Sequence, residues 1–170
     1  MQRYYFTEDS ETGSAIHFGT VEPLIEWLDF LEDDEDAILY FSSGGGRVSA
    51  SYELTRALDA KPNVLIRLVG IMASAAFDVV MNSKNKVGLS PFFEYAMIHK
   101  SNSYVGTREL SSKVPNESTI LNKMDSRLRS IERKSIRYLN EEERALFEDG
   151  QDVFLDYTRV REMLVEAGKL

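Results

Sequence analysis

Two compact, β-rich apolar runs, Ala37 to Phe41 (AILYF) and Val64 to Val69 (VLIRLV), flank a glycine turn and a helical pattern from Val48 to about Leu58. Short runs that are apolar at successive positions suit strands buried on both faces, as in a parallel sheet. Strand, helix, strand in that order calls for a crossover, so the two strands are expected to be parallel. The alternation continues, with Ala73 to Asn82 reading as a helix and Val87 to Leu89 and Tyr95 to Ile98 as extended segments. This is the pattern of an α/β chain.

The flanking segments extend it. Tyr4 to Phe6 and Ala15 to Phe18 read as two strands separated by a turn at Gly13. Thr20 is expected to cap a helix whose apolar stripe is Val21, Leu24, Ile25, Leu28 and Leu31. The acidic run Glu32 to Asp36 ends that helix as a solvated turn, with no binding role assigned. After Pro115, the residues Ile120, Leu121, Met124, Leu128, Ile131, Ser135 and Tyr138 describe a long amphipathic helix. Asn140 to Glu143 has the form of a capping box opening a short helix that Asp149-Gly150 closes. Val153 to Leu155 is a last strand candidate, and Thr158 to Ala167 a terminal helix ending at Gly168. No repeat or low-complexity linker divides the chain, and 170 residues with 43% hydrophobic content suit one domain over 1–170.

Composition removes several function classes. There is no cysteine, which excludes disulfides, thiolate zinc sites and cysteine nucleophiles. With only His17 and His99, a histidine-rich metal site cannot be built, and no metal or other cofactor is expected. A net charge of -8 opposes binding to nucleic acid or anionic lipid, which depends on neutralising phosphate with Lys and Arg. The start MQRYYFTEDS lacks a basic region followed by an apolar run, and no stretch approaches bilayer length. A soluble, cytoplasmic protein is expected.

Three segments carry groups that could do chemistry. SSGGGRVSAS, from Ser42 to Ser51, puts three glycines between a strand and a helix, which serves a tight turn or a close backbone approach to a ligand. Its spacing fits neither the dinucleotide fingerprint nor a phosphate-binding loop. GIMASAAFDVV, from Gly70 to Val80, begins a helix at Ser74, which is either an ordinary N-cap or a nucleophile whose helix start stabilises developing negative charge. EYAMIHK ends a strand at His99, the better candidate base for such a serine because His17 precedes the first clear core helix.

Together these segments resemble the proteolytic subunit of the Clp protease, ClpP. SSGGGRVSAS is similar to the family's strand-glycine-glycine segment, GIMASAAF to its nucleophile helix and AMIHK to its histidine strand. The spacing from Ser74 to His99, 25 residues, matches the family's without a gap. The string ASAA is also similar to signal peptide peptidases and to ClpP-related head-maturation proteases of bacteriophages, all of the ClpP/crotonase superfamily.

The resemblance implies a ClpP/crotonase-type fold, a repeated β-β-α spiral with a protruding handle helix in the region of about 101–139. It implies a serine endopeptidase acting on peptides or unfolded proteins, with Ser74, His99 and Asp152 as its triad. Asp149 and Asp156 stay open as alternatives to Asp152. The backbone N–H groups of Gly46 and Ala75 would form the oxyanion hole, and Gly45 and Lys100 would border the substrate. A homo-oligomeric ring and a AAA+ unfoldase are the implied partners. The chain starts almost at its first strand, so no counterpart of the family's axial-pore segment is expected, which counts against unfoldase docking. Gly44 stands where the family has proline, Ala75 and Ala76 replace a larger residue and a glycine, and Lys100 follows the histidine in place of another polar residue. A silent ring or scaffold subunit, or a crotonase-like acyl-CoA enzyme, are the alternative readings.

Overall fold

The computed structural model describes residues 1–10, 13–100 and 134–170. Its architecture is mixed α/β, built on one five-stranded sheet in the order β1-β2-β3-β4-β5. The strands are β1 (Gln2–Phe6), β2 (Ala37–Ser43), β3 (Val64–Ala73), β4 (Val87–Ile98) and β5 (Val153–Leu155). The first four pair in parallel, and β5 closes the edge antiparallel to β4. Between the parallel strands run α1 (Phe18–Phe30), α2 (Val48–Asp59) and α3 (Ala75–Asn82). A 3-10 turn (Ile136–Tyr138), α4 (Glu141–Glu148) and α5 (Tyr157–Glu166) complete the described chain.

The core forms where one sheet face meets these helices. Leu39, Phe41, Ile66 and Leu68 from the strands pack with Leu24 and Leu28, Leu54 and Leu58, and Phe77 and Val80 from the three helices, all buried. The strand residues between them, Ile38, Tyr40, Leu65 and Arg67, are half-buried or exposed. The burial pattern thus has the period of two that a pleated strand imposes.

Several boundaries differ from those read in the sequence. Ala15 to Phe18 does not form a second strand, because only Ile16 makes a bridge, to Gly46, and the helix starts at Phe18. Thr20 is not the N-cap. It is the third helical residue, where its hydroxyl accepts from the His17 N–H and donates to the Ala15 and His17 carbonyls, so His17 takes the cap position. β3 does not stop at Gly70. That residue bends at φ +70, the register shifts, and the ladder resumes from Ile71 to Ala73. A Cβ on Gly70 would lie 2.6 Å from the Ser42 hydroxyl, which itself accepts from the Ile71 N–H, so the bend admits only glycine.

The two extended segments at Val87 and Tyr95 are one strand with an irregularity between Leu89 and Phe93, which accommodates the missing N–H of Pro91. The capping box at Asn140 forms as read, with Glu143 N–H to Asn140 Oδ1 and Asn140 N–H to Glu143 Oε2 both 2.8 Å. The long helix expected from Asn116, and with it the handle, falls largely outside the described residues. Its described end, Lys134 and Ser135, is helical and tightens into the 3-10 turn.

Candidate active site

Strand register assembles the site. Ala73 pairs with Met97 at the parallel ends of β3 and β4, so the residues following, Ser74 and His99, emerge side by side despite their separation in sequence. Ile98 pairs with Val153 in the antiparallel ladder, which sets Asp152 alongside His99. Three distant segments therefore meet at one edge.

Ser74 stands at the N-cap position of α3 but does not cap. Its backbone has φ 54 and ψ -125, whereas N-cap residues ordinarily occupy the extended region. It is the only non-glycine residue with positive φ among the described residues. A single residue must turn the chain from the end of β3 into α3, while its own N–H is held by the Met97 carbonyl at 2.8 Å. The hydroxyl is consequently not folded back onto the helix: Oγ lies 2.7 Å from His99 Nε2. The other ring nitrogen, Nδ1, is 3.7 Å from Asp152 Oδ1, an ion-pair separation longer than a hydrogen bond. The His99 side chain is about one-third exposed (35%) and that of Asp152 about half (53%).

The neighbouring aspartates are engaged elsewhere. Asp156 caps α5 by accepting from the Arg159 N–H at 2.9 Å, and Asp149 accepts from Gln151 Nε2 at 2.8 Å. His17 is an exposed residue at the start of α1.

The glycine segment packs against the serine turn. A Cβ on Gly45, whose φ is +96, would lie 2.6 Å from the Ala73 carbonyl oxygen, 2.7 Å from Ser74 Cβ and 3.0 Å from the Ala75 nitrogen. On its other side the segment pairs with Ile16, whose N–H donates to Gly45 O at 2.8 Å and whose carbonyl accepts from the Arg47 N–H at 2.7 Å. In a parallel bridge of this pattern, the N–H of the residue between, Gly46, faces away from Ile16. Gly46 has φ +150, and a side chain there would collide with the Ile16 carbonyl. Ala75, the first residue of α3, carries one of the N–H groups that have no acceptor inside the helix.

The Lys100 side chain is engaged by α4. Its ammonium donates to the Glu148 carbonyl at 2.6 Å, pairs with the Glu148 carboxylate at 3.1 Å and stands 6.0 Å from the Phe147 ring centroid.

A serine hydroxyl on an imidazole, with a carboxylate behind it and backbone donors beside it, is an arrangement able to transfer acyl groups. The family model of the Clp protease matches residues 11–154, most of the chain, with Ser74, His99 and Asp152 inside the match. The chain belongs to the Clp protease family. Its members are peptidases, and the mixed α/β architecture agrees with their fold. The curated proteins contain no match. No helix among the described residues is long and apolar enough to cross a membrane.

The sequence reading missed the side chains that hold the glycine segment of this Clp-family chain. Ser43, fully buried, accepts from the Gly45 N–H at 3.1 Å and donates to the Ser14 carbonyl. The sequence shows only a serine before a glycine run; that its hydroxyl must find partners follows from its burial, which the fold reveals.

Proposed function

We propose that this protein is a serine endopeptidase that cleaves peptides or unfolded proteins by acyl transfer. The observation that carries the reading is Ser74 itself: a strained residue at a helix start whose hydroxyl meets His99 Nε2 at 2.7 Å instead of capping. Strain of this kind persists where the surrounding structure imposes it, and it concentrates at functional sites.

His99, neutral, accepts the Ser74 proton as Oγ attacks the substrate carbonyl, and returns it to the departing amine. Asp152 orients the ring through Nδ1 and stabilises the imidazolium. The backbone N–H groups of Gly46 and Ala75 receive the oxyanion, each such donor being worth roughly 10²–10³ in rate. Gly45 lines the acyl site, and Lys100 borders it through its main chain while its ammonium stays on Glu148. Water then releases the acyl group by the same steps in reverse roles.

A homo-oligomeric ring of single-domain subunits, each spanning 1–170, completes the reading, with a AAA+ unfoldase as a further partner. What supports the ring is the second sheet face. Tyr5 is 51% exposed and stacks on Tyr40 at 4.7 Å, with Ile38 and Leu65 half-buried beside them, and Phe154 is 65% exposed against Tyr95. Aromatic and aliphatic side chains left open on one sheet face, with Arg67 among them, suit a surface on which another subunit packs.

The test is covalent labelling with a fluorophosphonate and location of the adduct by mass spectrometry. The adduct is expected on Ser74, absent in Ser74→Ala and strongly reduced in His99→Ala. Asp152→Asn should slow peptide turnover by about 10²-fold, less than the ~10⁴-fold found for a fully buried triad aspartate, because Asp152 is half exposed. Unlabelled Ser74 in folded protein overturns the mechanism, and an equal loss in Asp149→Asn or Asp156→Asn overturns the choice of Asp152.

A further inference from the structure

The Ser43 hydroxyl occupies a place the acyl-transfer steps do not use. It is fully buried, it accepts from the Gly45 N–H at 3.1 Å, and it donates to the Ser14 carbonyl. Gly45 and Gly46 both have positive φ, a backbone that is costly for other residues and that must be held in place by its surroundings. Gly44, next to Ser43, adds a third flexible residue.

Three clamps hold it. On one side Gly45 presses on Ala73, Ser74 and Ala75. On the other, the Ile16 main chain bonds Gly45 and Arg47, and the strap around Ile16 is fastened in turn by the buried Thr20 hydroxyl to the Ala15 and His17 carbonyls. Ser43 is the third, and its side chain bonds both the glycine segment and the strap. An oxyanion donor is effective to the extent that it is oriented before the charge arrives. The Gly46 N–H lies one peptide beyond the group that Ser43 fixes.

We infer that Ser43 is a positioning residue: its hydroxyl, held between the Ser14 carbonyl and the Gly45 N–H, keeps the Gly46 N–H directed at the carbonyl oxygen of an acyl group on Ser74. The inference rests on the serine-peptidase reading. Its signature is selective, because loosening a donor weakens transition-state binding while leaving the Ser74–His99 pair intact.

The experiment compares wild type, Ser43→Ala and Thr20→Val, with Ser74→Ala as the inactive control, on a short peptide substrate and on a peptidyl boronic acid. The boronate's hydroxyls occupy the oxyanion position. Ser43→Ala should lower kcat by about tenfold, a fraction of what losing a whole donor costs, with KM changed less than threefold. Boronate affinity should fall by the same factor as kcat, and the midpoint of the pH–rate profile should not move. Thr20→Val, which slackens the strap from the other end, should show the same pattern at smaller amplitude and decides the matter if Ser43→Ala does not fold. Folded Ser43→Ala with wild-type kcat, or Thr20→Val with unaltered kcat and boronate affinity where Ser43→Ala fails to fold, overturns the inference. A shifted pH midpoint or a lost KM does so too. If wild type itself shows no turnover that Ser74→Ala removes, the peptidase reading falls instead, and the two failures are thereby distinguished.

Discussion

Replacing Ser74 by glycine should leave a more stable protein than replacing it by alanine, although both substitutions remove the same hydroxyl. At φ 54 and ψ -125 a residue with a Cβ is strained, by roughly 1–3 kcal/mol in such regions. Glycine escapes that strain but loses more backbone entropy on folding, about 0.5–1 kcal/mol relative to alanine. The two ranges leave a net of about 0–2.5 kcal/mol, centred on about 1–1.5 kcal/mol, in favour of Ser74→Gly. For a chain of this size, that corresponds to roughly 2–6 °C in Tm. Calorimetry or thermal denaturation at one fixed protomer concentration is the assay, because assembly would shift Tm by mass action. Glycine also outranks alanine at ordinary N-caps, so the control is Asn140, an N-cap with φ -69. If the glycine–alanine difference at position 74 does not exceed that at position 140, the serine is not strained and the argument for its special role loses its basis.

Three further outcomes follow. Gly45→Ala should destabilise more than Gly150→Ala, which has φ +80 but nothing within 4 Å, and by displacing Ser74 it should cut kcat by about 10²-fold; equal stability losses on chemical denaturation would contradict the tight packing of Gly45. Burial lowers the Lys169 ammonium to a pKa of about 8, so between there and its ordinary value the unfolded chain binds more protons than the folded one. Wild-type stability relative to Lys169→Met should therefore rise from about pH 8 toward 10, by at most ~1.4 kcal/mol per pH unit, and denaturant titrations giving a flat or falling difference would refute it. Sedimentation across a range of concentrations should find a large homo-oligomer, whereas a persistent 19.4 kDa monomer that cleaves peptides would refute the ring.

What could be read from sequence was whatever depended on local pattern. AILYF and VLIRLV became adjacent parallel strands because continuous apolar runs have few other places to go. The Asn140 capping box formed because donor and acceptor lie within one turn. The spacing of Ser74 and His99 was informative for a reason the sheet makes plain: pairing of Ala73 with Met97 turns that spacing into contact. Tertiary choices were not legible. Ala15 to Phe18 has strand composition, but Thr20 captures the His17 main chain and starts a helix there. Gly70 reads as a terminator, yet a shift in register lets β3 continue past it to the serine. Nothing about Lys100 forecast that its ammonium would commit to Glu148, a partner distant in sequence. Ser42 and Ser43 look like polar loop residues until the carbonyls and N–H groups they serve are known.

A serine opening a helix is ambiguous because capping and nucleophilic attack draw on the same position, and here the backbone torsion removes the capping bond, which supports the proposed reading. In the extended region an N-cap hydroxyl folds back onto the N–H of the second or third helical residue, consuming the lone pair and one of the helix's free donors. At φ 54 the Ser74 side chain makes no such bond, so the first-turn donors of α3 remain for another acceptor and the hydroxyl turns to His99. On the proposed mechanism the positive end of the helix would stabilise charge that develops on a reacting oxygen, where it changes a rate, instead of a neutral hydroxyl, where it would only hold the helix end. One torsion angle thus costs the fold some stability and leaves both the donors and the hydroxyl available. Gly45, lying against Ala73, Ser74 and Ala75, is what leaves room for that turn, so the glycine segment and the strained serine work as one unit.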